Sequence, residues 1–171
     1  MQEAKDPLAR YREGLTSRYA EQIDALRDAA GAWEASGLHE PLGPGEWTPH
    51  QVVVHVVAAE SLAFVPRLKR IASEDHPDLP SWDETAWMEE TYNSEDDIQT
   101  WLDTFDAARR EGLDLIRGLS DDDWGRTGRH PAQGDRTLQW WLEYSVTHAD
   151  DHLNQLTSTG RGALEGPGES R

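Results

Sequence analysis

The feature that most constrains this chain is a sharp helix start that runs into an apolar stretch. Thr48-Pro49-His50-Gln51 leads into Val52, Val53, Val54, His55, Val56, Ala59, Leu62 and Ala63. A threonine N-cap with glutamine three residues on is a capping box, in which two orphaned backbone N–H groups are satisfied reciprocally. Proline at the first helical position sacrifices no hydrogen bond, and its fixed φ suits the turn. The β-branched run Val52 to Val54 alone would suit a strand. The cap and the helical spacing beyond it decide for a helix. Pro66 predicts a kink, after which Leu68 and Ile71 carry the helix to about Ala72.

Three further helices follow from the same periodicity. The first spans about Leu8 to Ala35, with Leu15, Tyr19, Ile23, Leu26, Ala30 and Trp33 at spacings of three and four. Gly37, Pro41, Gly43, Pro44 and Gly45 then break it. The connection from Ser73 to Asn93 holds Trp82, Trp87, Met88 and Tyr92. That aromatic load predicts a segment packed across the bundle, with one short helical turn near Glu84 to Glu89. Ser94 is the expected cap of the third long helix, which carries Ile98, Trp101, Leu102, Phe105, Ala108, Leu113 and Ile116 and stops near Gly118. Residues 120–134 are turn-rich, and Asp121 to Asp123 lack the alternation of a calcium loop. The last helix starts at Asp135 or Thr137 and ends near Thr159.

The expected fold is therefore all-α, a four-helix bundle with long connections over residues 1–160. A flexible acidic, Gly-rich tail is expected over 161–171. Trp33, Trp101 and Trp141 read as core, and Trp47 as a contact just before the cap. Trp82, Trp87 and Trp124 are candidates for a pocket rim. Arg109 and Arg110 read as salt-bridged surface.

Composition removes whole classes of function. The 171 residues include no cysteine, which excludes a disulfide scaffold, a Cys metal site and a thiol nucleophile. Asp plus Glu total 33 against 16 Lys plus Arg, a formal net charge of -17. That field repels nucleic acid and anionic membranes. No run reads as a membrane span, and Met1 to Arg10 has no apolar core of a secretory signal, so a cytoplasmic protein is the expectation. Mean hydropathy is -0.79, yet eight tryptophans argue for a packed core rather than disorder. Neither a Gly-rich phosphate loop nor a Gly-x-Ser-x-Gly elbow is present.

The chemical signal lies in the histidines. His148 and His152 are four apart on one helix, so their rings lie one turn apart on one side. They share the inward line with Trp141, Ser145 and Leu156, and His55 sits on the apolar line of the second helix. Three imidazoles thus point at one interior, where neutral rings need partners. A divalent metal would satisfy one nitrogen on each and keep a coordination position open, as catalytic sites do. The competing reading is a chance pair of ordinary core histidines. His39, His50, His76 and His130 read as surface or loop residues. Asp151, three residues after His148, is a candidate acceptor for an imidazole N–H. Tyr144 could line the same cavity, and Glu60 points poorly for a ligand.

Three stretches carry a resemblance. They are Trp47 to His55, Gly134-Asp135-Arg136-Thr137-Leu138, and His148-Ala149-Asp150-Asp151-His152-Leu153-Asn154-Gln155-Leu156. In order and spacing they resemble the DinB-like, or YfiT-like, metalloprotein superfamily, over roughly residues 10–158. The resemblance implies a bundle in up-down-down-up order, often a homodimer. It implies a divalent ion, nickel or zinc first and iron or manganese otherwise, on His55, His148 and His152. It also implies an enzyme that activates a low-molecular-weight thiol for transfer to an electrophile. The alternatives are hydrolysis by metal-activated water, with Asp151 as the sequence-local base, and a non-catalytic stress or ligand-binding protein.

Overall fold

The computed structural model describes residues 6–160. The expected tail at 161–171 lies outside the described residues. Six helices and one small hairpin are present: α1 Pro7–Gly31, α2 Pro49–Ala59, α3 Val65–Ser73, α4 Glu84–Thr91, α5 Ile98–Arg117, β1 Thr127–His130, β2 Gly134–Thr137 and α6 Leu138–Gly160. A π-helical turn, Glu60–Phe64, joins α2 to α3 without a break. The four long helices are thus α1, α2 with α3, α5 and α6.

Each start has a local cause. Asp6 accepts from Leu8 N at 3.3 Å ahead of Pro7. Thr48 accepts from Gln51 N at 3.2 Å, while Thr48 N donates to the Gln51 side chain at 2.9 Å, so the capping box closes in both directions. Pro66 does not interrupt the helix. The π turn just before it widens the spiral by one residue where the missing N–H would otherwise leave a gap. The cap of α5 is Asp97 rather than Ser94. The Asn93 side chain accepts from Glu95 N and its carbonyl from Asp96 N, and this turn uses up the residues before Asp97.

Side-chain pairs between helices give the chain direction. Tyr11 meets Glu143 and Gln22 meets Asp150, so α1 and α6 run parallel. Arg27 pairs with Asp103 and Arg109 reaches Tyr19 O, so α1 and α5 are antiparallel. His50 reaches Asp96 O and Lys69 reaches Glu111, so the second long helix and α5 are parallel. His55 faces His148 and Glu60 faces Ser145, so the second long helix and α6 are antiparallel. The order is up-down-down-up. Two parallel neighbours in sequence demand the long crossover at 74–97, and α4 lies within it.

The core has two apolar clusters. One gathers Tyr19, Leu68, Ile71, Trp124, Leu138 and Trp141; the other gathers Leu26, Val53, Val57, Phe105 and Leu156. The 25-residue helix Pro49–Ser73 is long and apolar enough to pass as a membrane span, contrary to the sequence reading, but 78% of that window is buried among the other helices. The turn-rich segment at 120–134 resolves partly into a hairpin, and of the two expected starts of the last helix, Asp135 and Thr137, the later one holds. Thr127–His130 pairs antiparallel with Gly134–Thr137, and α6 begins only after Thr137, whose hydroxyl accepts from Trp140 N. The strands are four residues each and mostly polar, which leaves no alternation to read.

Candidate functional site

The three histidines come together near one end of the bundle. Their ligating nitrogens lie within 4.8 Å of one another. His55 Nε2 and His148 Nε2 are 3.0 Å apart. The rings of His55 and His152 are 4.8 Å apart, and those of His148 and His152 are 4.7 Å apart. His55 is 2% exposed. Its Nδ1 is sealed without a partner between the packed rings, so Nε2 is the nitrogen that faces the cluster. His152 Nδ1 pairs with the Gln155 side-chain oxygen at 2.9 Å, an arrangement that turns Nε2 into the lone-pair nitrogen. Burial and neighbouring rings lower the pKa of His55 to about 4 and that of His148 to about 3. Both rings are neutral near pH 7.

This donor set fits a divalent cation. Zinc–imidazole bonds of about 2.0–2.1 Å place two nitrogens of one ion roughly 3 Å apart, close to the His55–His148 separation. Three imidazole nitrogens packed this closely have no reason to converge on one another, since at most one N–H can be shared per pair.

An open pocket of about 460 Å³ reaches the cluster at His148. Ala59, Ala63 and Phe64 form an apolar wall, while Trp82, Tyr144 and Trp141 form an aromatic one. Trp82 lies flat beside His55, with ring centroids 6.4 Å apart. Glu84, the first residue of α4, lines the same pocket, and its Oε2 is 3.7 Å from His55 Nε2. Sequence reasoning read Glu84 only as the start of a helical turn. Its place at a capped N-terminus, after Asp83, was the available signal.

Several sequence expectations change here. Asp151 is exposed and bonds to no imidazole; the partner of His152 is Gln155. His50 is buried, holding Tyr92 and Asp96 O, because its ring faces α4 and the turn before α5. His130 is also buried, carried into the pocket wall by β1. His39 and His76 are exposed as expected. Trp82 and Tyr144 line the pocket, whereas Trp124 lies in the core and Trp87 sits behind Trp82 against Trp101. Trp33 and Trp101 are half-buried, and Trp141 is fully buried.

Glu60 does not approach the three rings. It is buried, and Tyr19 and Ser145 both donate to its carboxylate. Arg109, expected on the surface, is 0% exposed and faces the same carboxylate at 3.2 Å. Arg109 also donates to Gln22 at 2.8 Å. One polar cluster therefore ties together all four long helices just inside the histidines.

Residues 18–156 match the model of the DinB superfamily. The chain belongs to the DinB superfamily. An Oceanobacillus iheyensis relative is 31% identical over 114 residues, which are 67% of this chain and 65% of that relative. YfiT of Bacillus subtilis is 26% identical over 160 residues, which are 93% of this chain and 85% of YfiT. Both carry names that begin "Putative metal-dependent hydrolase". The solved structure of YfiT superposes with a TM-score of 0.84 at 24% identity, covering 95% of this chain and 92% of that one. That structure is described as a four-helix bundle of unusual topology. The four-helix bundle protein TT2238 superposes with a TM-score of 0.62 at 21% identity, covering 86% and 98%. Within this superfamily the bundle and its histidine cluster support metal dependence.

Proposed function

We propose that this DinB-superfamily chain is a divalent-metal-dependent enzyme acting on a small molecule held in the pocket beside His55, His148 and His152. The observation that carries the reading is the convergence of three imidazole nitrogens at the wall of an open pocket. A divalent ion held by the three histidines supplies Lewis acidity, lowering the pKa of a water or thiol that joins it. Gln155 fixes the tautomer of His152, and the packing around His55 leaves only Nε2 to serve.

Glu84 favours water as the nucleophile. Its carboxylate stands beside His55 at the pocket mouth, where it can take a proton from a water and return it to a leaving group. Names of the relatives support the same reading. The second reading, transfer of a small thiol to an electrophile, is supported by the resemblance and by the apolar wall of Ala59, Ala63 and Phe64, which suits the carbon chain of a thiol. The chain has no cysteine, so the sulfur would come from the cosubstrate.

The test is turnover of an ester and amide panel, and of alkylating electrophiles, by nickel- or zinc-loaded protein with and without small thiols. Thiol-independent, metal-dependent hydrolysis that drops at least tenfold in Glu84→Gln supports water. Conjugation only in the presence of a thiol supports thiol transfer. Absence of any metal-dependent turnover overturns both.

A further inference from the structure

The pocket holds a buried cation that no acid neutralises. Arg67, on α3, is 8% exposed and lines the pocket wall. No carboxylate pairs with it among the described residues. Its Nη2 donates to Pro80 O at 3.3 Å, and its Nε has no partner. The guanidinium lies over the Trp141 ring at 4.7 Å. His130 stands 3.3 Å from Nη2 but does not serve as an acceptor. Its Nδ1 accepts the N–H groups of Ala132 and Gln133, so Nε2 carries the ring proton. The other buried arginine among the described residues, Arg109, has Glu60. A buried charge without a counter-charge is costly unless a ligand supplies one.

The surrounding donors are also unmatched. The indole N–H groups of Trp82 and Trp141, on the same wall, are buried without partners. The two acids of the pocket are engaged elsewhere: Asp83 caps α4 at Ala86 N, and Glu84 faces His55. The wall around Arg67 therefore offers N–H groups and positive charge, and neither of the pocket's acids is turned to the guanidinium.

We propose that Arg67 forms a carboxylate-binding subsite in the pocket that reaches the histidines. The proposal rests on the reading that this pocket holds the substrate. A monoanion fits better than a phosphate, because one cation faces it and the acids at the mouth repel a second negative charge. A planar carboxylate also matches the guanidinium fork. The subsite sets a length. Trp141 and His148 are seven residues apart on α6, about 10 Å along the helix. The ligand is a small carboxylic acid whose reacting group lies two helical turns from its carboxylate.

Four probes test this on zinc-loaded full-length protein by calorimetry: hexanoate, hexanamide, 6-mercaptohexanoate and 6-mercaptohexanamide. Each acid is expected to bind at least tenfold tighter than its amide. Arg67→Gln is expected to bring that ratio to about one with zinc content unchanged, and Arg67→Lys to keep part of it. The acid preference of hexanoate is expected to persist in metal-free protein, so failure of the metal-dependent reading leaves the subsite measurable. Equal binding of acid and amide by the unaltered chain overturns the proposal, and it needs no variant. A ratio that survives in folded Arg67→Gln also overturns it.

Discussion

Glu60 and Arg109 face each other at 3.2 Å with both side chains shut off from solvent. Glu60 lies in the π turn of the second long helix, and Arg109 lies midway along α5. The Arg109 Nη2 makes no aligned hydrogen bond, so charge rather than directionality holds this contact. Tyr19 and Gln22 from α1 and Ser145 from α6 complete the cluster. Burial and the Glu60 charge raise the pKa of Tyr19 well above its ordinary value, so the phenol stays a donor. Removing the Glu60 charge strands the guanidinium in the core. Glu60→Gln is expected to cost about 3–5 kcal/mol, the usual penalty for breaking a buried pair. Urea unfolding checks this, and Glu60→Gln with Arg109→Met is expected to recover part of the loss.

Gly112 makes room for that cluster. A Cβ at this position would collide with the Tyr19 hydroxyl and ring carbons. The helix would favour alanine by about 0.5–1 kcal/mol on propensity alone. Gly112→Ala is nevertheless expected to destabilise by about 1–3 kcal/mol, because Tyr19 must leave Glu60 or α5 must shift. A gain in stability on urea unfolding would show that Tyr19 is free to move.

The four long helices and the capping box at Thr48 were legible in the sequence because each rests on local spacing along one helix, and the convergence of His55, His148 and His152 was legible because each ring sits on the inward line of its own helix. What was missed depends on contacts between elements. Arg109 looked like surface because it sits beside Arg110 among acids, yet only one of the two faces Glu60. His130 looked like a loop residue because a polar four-residue strand carries no pattern. Glu84 and Arg67 became site residues only once the crossover folded α4 over the end of the second long helix. Asp151 was chosen by distance along the chain, but it is exposed, and the hydrogen-bond partner of His152 is Gln155.

Metal binding is expected to depend on all three rings. His148→Ala removes a nitrogen 3.0 Å from His55 Nε2 and opens the cluster to the pocket. Bound metal per chain, measured on untagged protein, is expected to fall from about one to near zero. Asp151→Ala is expected to leave that stoichiometry unchanged, since its side chain reaches none of the rings. Unchanged metal in His148→Ala would remove the three-histidine site.

The same rings give the metal-free protein a defined response to acid. His55 and His148 have folded-state pKa values lowered to about 4 and about 3, against an ordinary 6.5. Between these limits the unfolded chain binds protons that the folded chain refuses, so unfolding is favoured as pH falls. Their contribution to stability is fully present above pH 6.5 and is lost progressively down to about pH 3–4. Carboxylates add their own dependence at the lower end. His55→Asn with His148→Asn removes the histidine part alone. The difference between parent and double variant in urea midpoint is therefore expected to change between pH 7 and pH 5, with the parent losing more. Metal-loaded parent protein is expected to have a higher midpoint than metal-free protein at pH 7 and to lose at least as much of it between pH 7 and pH 5, because the ion keeps its imidazole ligands unprotonated while the unfolded chain takes up protons. Parallel pH profiles for parent and double variant would show that the rings titrate alike in the folded and unfolded chains.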